Sequence, residues 1–292
     1  MSKRALGTLL VSVSACAFGS YAYFALLATR AGIGTASLLF YRFGIAALIL
    51  GGVAAATRSR FPDFRGMLAL VGLGLLYVGQ SFTYLQCLKA SSPITASLLL
   101  YLYPAFVAVG SVLFLKERMT PAKGIALVCA LGGSILIVGP ARQVGGIAVV
   151  YGLGTALFYA AYMLCGRKVM QGVSAIPATL TILASTTVVY GVASLFLGFD
   201  IPSSPQGWIG AVGLALVATV VAIGALLAGL ERVGAVEASS LSALEPLTTA
   251  LVAVAFLGEP LRLWHVAGGV LVIVAVLVLA RQSEVPQPDA RR

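Results

Sequence analysis

The sequence predicts an all-α membrane protein: ten transmembrane helices arranged as two inverted five-helix repeats. Three observations carry that prediction. Of 292 residues, 60% are apolar and only 10% charged, whereas soluble proteins carry about a quarter charged residues, so a soluble fold is excluded. One bilayer crossing needs about 20 apolar residues, so ten crossings use roughly 200 residues and leave room only for short loops and tails. Finally, the chain matches itself when shifted by half its length, as set out below.

The elements follow in order. Span 1 (6–28) comes after Lys3 and Arg4; it is too long for a signal-peptide core and has no good cleavage site near Thr29 and Arg30. Span 2 (33–55) contains Arg42 and stops before Arg58 and Arg60. Pro62 precedes span 3 (66–88), Pro93 opens span 4 (93–115) and Pro121 opens span 5 (121–140), since proline begins helices well and continues them badly. Spans 6 (146–166) and 7 (175–198) follow, the latter with Pro177 near its start. Pro202 and Pro205 lead into span 8 (208–230), span 9 (237–257) stops before Pro260, and span 10 (262–280) completes the set. The tail 282–292 is polar and expected to be disordered and cytoplasmic.

Basic residues orient the bundle. With the N-terminus inside, 14 of the 19 Lys and Arg fall on the inner side and 4 on the outer side, and Arg42 alone is left within the membrane. That bias predicts an inner-membrane protein with both termini cytoplasmic. The net charge of +10 is explained by the same rule, so no nucleic-acid partner is expected. Cys16, Cys87, Cys129 and Cys165 lie in or at the end of apolar runs without C-x-x-C spacing and read as small packing residues.

An offset of 142 residues superposes span 4 on span 9, with ten identities in the 22 positions 96–117. Among them are Leu102 with Leu244, Pro104 with Pro246 and Glu117 with Glu259. Each half then holds five spans, and an odd number turns the second half upside down, a construction whose substrate site lies near the midplane. The expected division is 1–140 for the first repeat and 141–281 for the second. An offset of 139 sets Ser12, Cys16, Gly19, Ser20 and Tyr23 of span 1 against Tyr151, Thr155, Phe158, Tyr159 and Tyr162 of span 6. These two faces are expected to look at each other across a cavity.

The repeated Leu-x-Pro followed by Glu, the Arg42-Phe43 pair, and Gly133 and Ala275 sixteen residues beyond each Glu resemble the EamA-type family of the drug/metabolite transporters. The resemblance covers roughly residues 5–280. It implies a ten-helix exporter of small metabolites, with the YddG-type amino-acid exporters as the nearest type.

Candidate site residues come from polar groups at depth. Arg42 stands about 14 Å from the outer edge and Glu245 about 12 Å from the inner edge of a core about 30 Å thick. Arg42 reads either as an anchor for a substrate carboxylate or as a structural arginine. Glu245, just before Pro246, reads as an ammonium ligand, a proton-coupling carboxylate or a partner of Arg42. Ser242 shares its helical face. In span 3, Tyr77, Gln80 and Tyr84 share a face with Ser81, and Tyr101 with Tyr103 in span 4 and Tyr159 with Tyr162 in span 6 supply further hydroxyls. Tyrosine stripes read equally as packing.

The cavity is expected between spans 1, 3, 4, 6 and 9, with spans 5 and 10 as scaffold. Bulk at Gly19 or Ser242 should then block transport while sparing stability, and bulk at Gly133 should spoil packing. Glu117 and Glu259, at span ends, read as caps or gate-side ion pairs. No phosphate-binding loop, metal cluster or catalytic pair is present in the sequence, so no cofactor, metal or enzyme activity is expected. The reading is a secondary active or facilitative exporter of small amphipathic metabolites, above all amino acids including aromatic ones, working by alternating access with protons as candidate coupling ion. Its rivals are an exporter of cationic drugs, purines or sugars, and a non-transporting membrane enzyme or scaffold.

Overall fold

The computed structural model describes residues 2–115, 120–138, 145–170, 172–242 and 244–282. Their regular secondary structure is helical throughout. Span 1 comprises Lys3–Gly19 and Tyr21–Arg30, span 2 Thr35–Ala56, span 3 Phe64–Ala90, and span 4 Pro93–Leu100 with Tyr103–Leu115. Span 5 is Pro121–Val138, span 6 Gly146–Val169 and span 7 Ala175–Leu197. Span 8 begins with Pro205–Ala215, passes through a π-helical turn at Leu216–Val221 and enters Ala222–Ser242; span 9 ends with Leu244–Leu257, and span 10 is Leu263–Gln282. Among the described residues seven spans are long and apolar enough to cross a bilayer. Spans 5, 9 and 10 have shorter apolar cores at Gly124–Gly133, Leu244–Leu257 and Leu263–Val278. The protein is an integral membrane protein.

Local chemistry starts the helices where the sequence signals them. Ser2, Asp63, Ser92 and Ser204 accept from the backbone N–H three residues on, and Pro93 and Pro205 stand in the first turn, where no donor is missed. Gly198 after span 7 (φ +99°) and Gly258 after span 9 (φ +69°) take the left-handed conformation that releases the chain from a helix.

Three spans depart from the expected single rods. Span 1 is interrupted at Ser20, whose hydroxyl turns back to the Ala17 carbonyl at 2.7 Å. Span 4 is interrupted at Tyr101 and Leu102, because Pro104 has no N–H for the carbonyl four residues earlier and crowds it. The third departure is at spans 8 and 9, expected to be separated near 231–236. Helical backbone instead runs over Ala222–Ser242, and a second helix covers Leu244–Leu257. The chain nevertheless doubles back between Val233 and Glu245. Arg232 and Val233 lie at Gly7 and the Ala222 carbonyl at Ser14, yet Glu245 and Thr248 lie at Gly19, about 18 Å from Gly7 along span 1.

The packing has two-fold pseudo-symmetry. Span 1 packs on span 8 as span 6 packs on span 3; span 1 meets span 9 as span 6 meets span 4; span 2 meets spans 7 and 8 as span 7 meets spans 2 and 3; span 5 pairs with span 10. Moving every span on by five maps this set onto itself, as two inverted five-helix halves require. The first half of span 4, Pro93–Leu100, is buried at every position and forms the centre. At the flank, a Cβ on Gly133 would stand 2.8 Å from the Gly268 carbonyl and from Val272, so spans 5 and 10 touch through their small residues.

Candidate functional site

Spans 4 and 9 meet where Tyr101 reaches Ser242 and Glu245. Pro246 leaves the carbonyl of Ser242 without its helical donor, and the Tyr101 hydroxyl takes that place at 2.9 Å. The same hydroxyl lies 2.9 Å from Oε2 of Glu245. One phenolic hydrogen thus faces two acceptors. The hydroxyl of Ser242 bonds back to Ala238 at 3.0 Å, so Ser242 enters the site through its backbone and not its side chain.

Arg42 is 4% exposed. Its Nε donates to Thr219 Oγ1 at 3.0 Å, and its guanidinium lies over the rings of Tyr21 (4.7 Å) and Phe43 (4.6 Å), a cation–π sandwich. Thr219 is aimed by the π-helical turn, where its hydroxyl donates to the Leu214 carbonyl five residues back at 3.0 Å. No ion pair joins Arg42 to Glu245 among the described residues, contrary to one expectation. Tyr84 lies 4.9 Å from the Tyr21 ring that covers Arg42.

Between the two charges runs a chain of rings. Tyr101 neighbours Tyr103 (6.2 Å between centroids), Tyr103 neighbours Tyr159 (4.5 Å), and Tyr159 stacks on Tyr162 (6.0 Å). Tyr162 meets Tyr77 and Tyr77 meets Phe43, both at 5.5 Å, and Phe43 stacks on Tyr190 at 6.0 Å beside Arg42. With Tyr21 and Tyr84 on the far side of Arg42, the rings form an open circuit that has Glu245 at one pole and Arg42 at the other.

Of the residues expected at the site, Arg42, Tyr77, Tyr84, Tyr101, Tyr159, Tyr162 and Glu245 come together in this circuit. Gln80 does not: its side-chain amide donates to Thr155 Oγ1 at 3.3 Å and its backbone carbonyl accepts from the same hydroxyl at 3.1 Å, so it pins span 3 to span 6. Tyr21, Tyr190 and Thr219 join the site unforeseen. A signal existed for two of them, since Thr219 is the single hydroxyl residue in span 8 and Tyr190 the single tyrosine in span 7.

The expected facing of spans 1 and 6 is corrected. Thr155 and Phe158 pack on Gln80 and Gly79 of span 3, and Tyr159 packs on Tyr103 of span 4. Gly19, in turn, packs on span 9: a Cβ there would stand 2.6 Å from Thr248 and 2.9 Å from the Glu245 carbonyl. Gly19 is therefore a close contact and not a cavity wall, so bulk at this position must cost stability as well.

A cavity of about 360 Å³ opens at the ends of spans 2, 3 and 7 on the face away from the N-terminus, lined by Thr35, Ser37, Phe82, Gln86, Tyr190 and Asp200. Spans 2 and 7 were left out of the expected cavity. Asp200 ties this face together, since its Oδ2 accepts from Gly34 N–H at 2.8 Å and its carbonyl from Tyr41 at 3.2 Å. Glu259, in the turn after span 9, accepts from Ile94 N–H at 3.5 Å at the start of span 4. Burial pushes its carboxyl above the usual carboxylate range, and hydrogen bonds from Ser92 and Ile94 oppose that shift. Its repeat mate Glu117 lies outside the described residues.

The EamA-like transporter family model matches this chain twice, over residues 5–139 and 146–281. The chain is 28% identical over 221 residues to an uncharacterized transporter of Archaeoglobus fulgidus, covering 76% of this chain and 78% of that protein. It is 25% identical to the uncharacterized transporter YyaM of Bacillus subtilis, covering 86% of each. With the chloramphenicol-sensitive protein RarD of Pseudomonas aeruginosa it shares 32% identity over 61% of this chain and 59% of that one. A solved crystal structure at 21% identity superposes with a TM-score of 0.66, over 97% of this chain and all of the other, which establishes the fold.

Proposed function

From the premise that the chain belongs to the EamA-like transporter family, and is a membrane transporter and not an enzyme, we propose that it exports small amphipathic metabolites, above all amino acids including aromatic ones. The work is done by alternating access between repeats 1–140 and 141–281, in the inner membrane with both termini cytoplasmic. The observation that carries this reading is the ring circuit with a guanidinium at one pole and a carboxylate at the other. A zwitterion with an apolar or aromatic side chain has the matching chemistry: a carboxylate for Arg42, an ammonium for Glu245 and a ring face for the tyrosines.

The geometry around Glu245 also suits proton coupling. A neutral Glu245 can donate to Tyr101 while Tyr101 donates to the Ser242 carbonyl, and all three partners are matched. An ionised Glu245 must compete with that carbonyl for one hydrogen, and the competition ends when an ammonium group arrives.

The test is transport in liposomes with a panel of labelled amino acids, organic cations, purines and sugars at pH 5.5 to 8.5. Parent protein is expected to move amino acids, and Glu245→Gln to remain monodisperse while losing at least about ten-fold of the rate or its pH dependence, which corresponds to about 1.4 kcal/mol or more on the transport barrier. Unchanged transport by Glu245→Gln across that pH range would remove both the ammonium and the proton role. Uptake of organic cations alone would give the substrate to the rival class.

A further inference from the structure

The pole at Arg42 contains an atom whose cost the fold does not explain. Tyr21 is 5% exposed, and its hydroxyl is buried without a hydrogen-bond partner among the described residues. It lies beside the Arg42 guanidinium, which at most donates to the oxygen, so the hydroxyl's own hydrogen meets no acceptor among the described residues. The ring is held from both sides, by Arg42 at 4.7 Å and by Tyr84 at 4.9 Å. Tyr21 also begins the helix that follows the interruption at Ser20, so its position is set by a break in span 1.

A buried polar atom with no partner is unfavourable, and phenylalanine in the same place would keep both ring contacts and shed the cost. The packing therefore accounts for the ring and leaves the hydroxyl hydrogen unused among the described residues. Arg42 is similarly half committed, since Nε is given to Thr219, while the remaining guanidinium nitrogens form the fork that binds a carboxylate through two parallel bonds.

We propose that the Tyr21 hydroxyl and the guanidinium fork of Arg42 together hold the acidic group of the substrate, so that the transported class is defined by a free carboxylate. This rests on the transporter reading above and sharpens it. One guanidinium and one hydroxyl suit a singly charged carboxylate better than a phosphate dianion, because Arg42 is the single Lys or Arg away from the span ends. Tyr21 acts here as a ligand that completes the shell around the carboxylate, donating one hydrogen bond to an oxygen that Arg42 leaves unsaturated.

The experiment measures binding of four probes to purified protein by calorimetry: L-phenylalanine, 3-phenylpropionate, phenylalanine amide and phenethylamine. The parent is expected to bind the two carboxylates and to bind the amide and the amine at least about ten-fold more weakly. Tyr21→Phe is expected to weaken both carboxylates by about five-fold or more, with a melting temperature equal to or above that of the parent, a combination that a structural role does not produce. Carboxylate binding by Tyr21→Phe equal to the parent's would overturn the inference while leaving the amino-acid reading in place, whereas a parent that prefers phenethylamine would overturn both. Binding of none of the four would count against both. If Tyr21→Phe is poorly folded, Tyr21→Leu with its melting curve decides whether the ring or the oxygen was structural: a loss of stability in Tyr21→Phe as large as in Tyr21→Leu makes the oxygen structural and defeats the proposal.

Discussion

At the scale of single residues, Arg42 shows how a charge is tolerated at depth. Its burial is supported by Thr219 on one side and two ring faces on the other, none of which neutralises it. Thr219→Val removes the hydrogen-bond acceptor at nearly constant volume and should cost about 1.5–3 kcal/mol, the range for a hydrogen bond to a charged group, read as a lower melting temperature that Thr219→Ser restores. Glu259 makes a pH prediction with a definite sign. Burial raises its carboxyl above the unfolded value, so the folded state binds the proton more tightly. The stabilisation is fully present below the usual carboxylate range and is lost as the pH rises through the raised folded value. Glu259→Gln keeps an acceptor for Ile94 and buries no charge. Its melting temperature should therefore match or exceed the parent's at pH 8, with a flatter dependence on pH from 4 to 8; a steeper dependence would defeat the assignment.

At the scale of elements, the interruptions in spans 1 and 4, the proline at position 246 in span 9 and the π-helical turn in span 8 all lie beside the ring circuit. Each frees or redirects a backbone or side-chain group that a regular helix would have used internally: the Ser242 carbonyl for Tyr101, Thr219 for Arg42. Between these elements the straight contacts rely on small residues. Gly19→Ala and Gly133→Ala both push a methyl group into atoms 2.6–2.8 Å away and should lower stability by about 1–3 kcal/mol. Gly72→Ala, which meets open space, should be neutral or slightly stabilising. Thermal unfolding in detergent of the three variants checks this, and a neutral Gly19→Ala would return Gly19 to the cavity wall.

At the scale of the whole molecule, ten crossings, an even number, are expected to bring both ends of the chain to the same side. Cysteines introduced singly at Ser59 and Lys89, after removal of Cys16, Cys87, Cys129 and Cys165, should differ in intact cells. A membrane-impermeant thiol reagent is expected to label position 89 and spare position 59. Labelling at 59 would invert the orientation inferred from the basic residues.

Much of this was legible in the sequence because its causes are local or compositional. Apolar run length sets the number of crossings, prolines and capping serines set where helices begin, and an internal offset of 142 exposed the halves and brought Glu245 and Tyr103 to equivalent positions. The polar atoms at depth announced Arg42, Glu245 and the tyrosines, since hydrocarbon tolerates few of them without partners. Which partners they take was decided only by tertiary structure. Helical periodicity tells which side chains share a face, but not which helix that face meets. Thus Gln80 turned out to pin span 6, Gly19 to receive Thr248, and Tyr21, unremarkable in the sequence, to stand beside Arg42 with a hydroxyl that has no partner among the described residues. The physical reason is that close packing is a property of pairs of surfaces, and the sequence presents each surface alone.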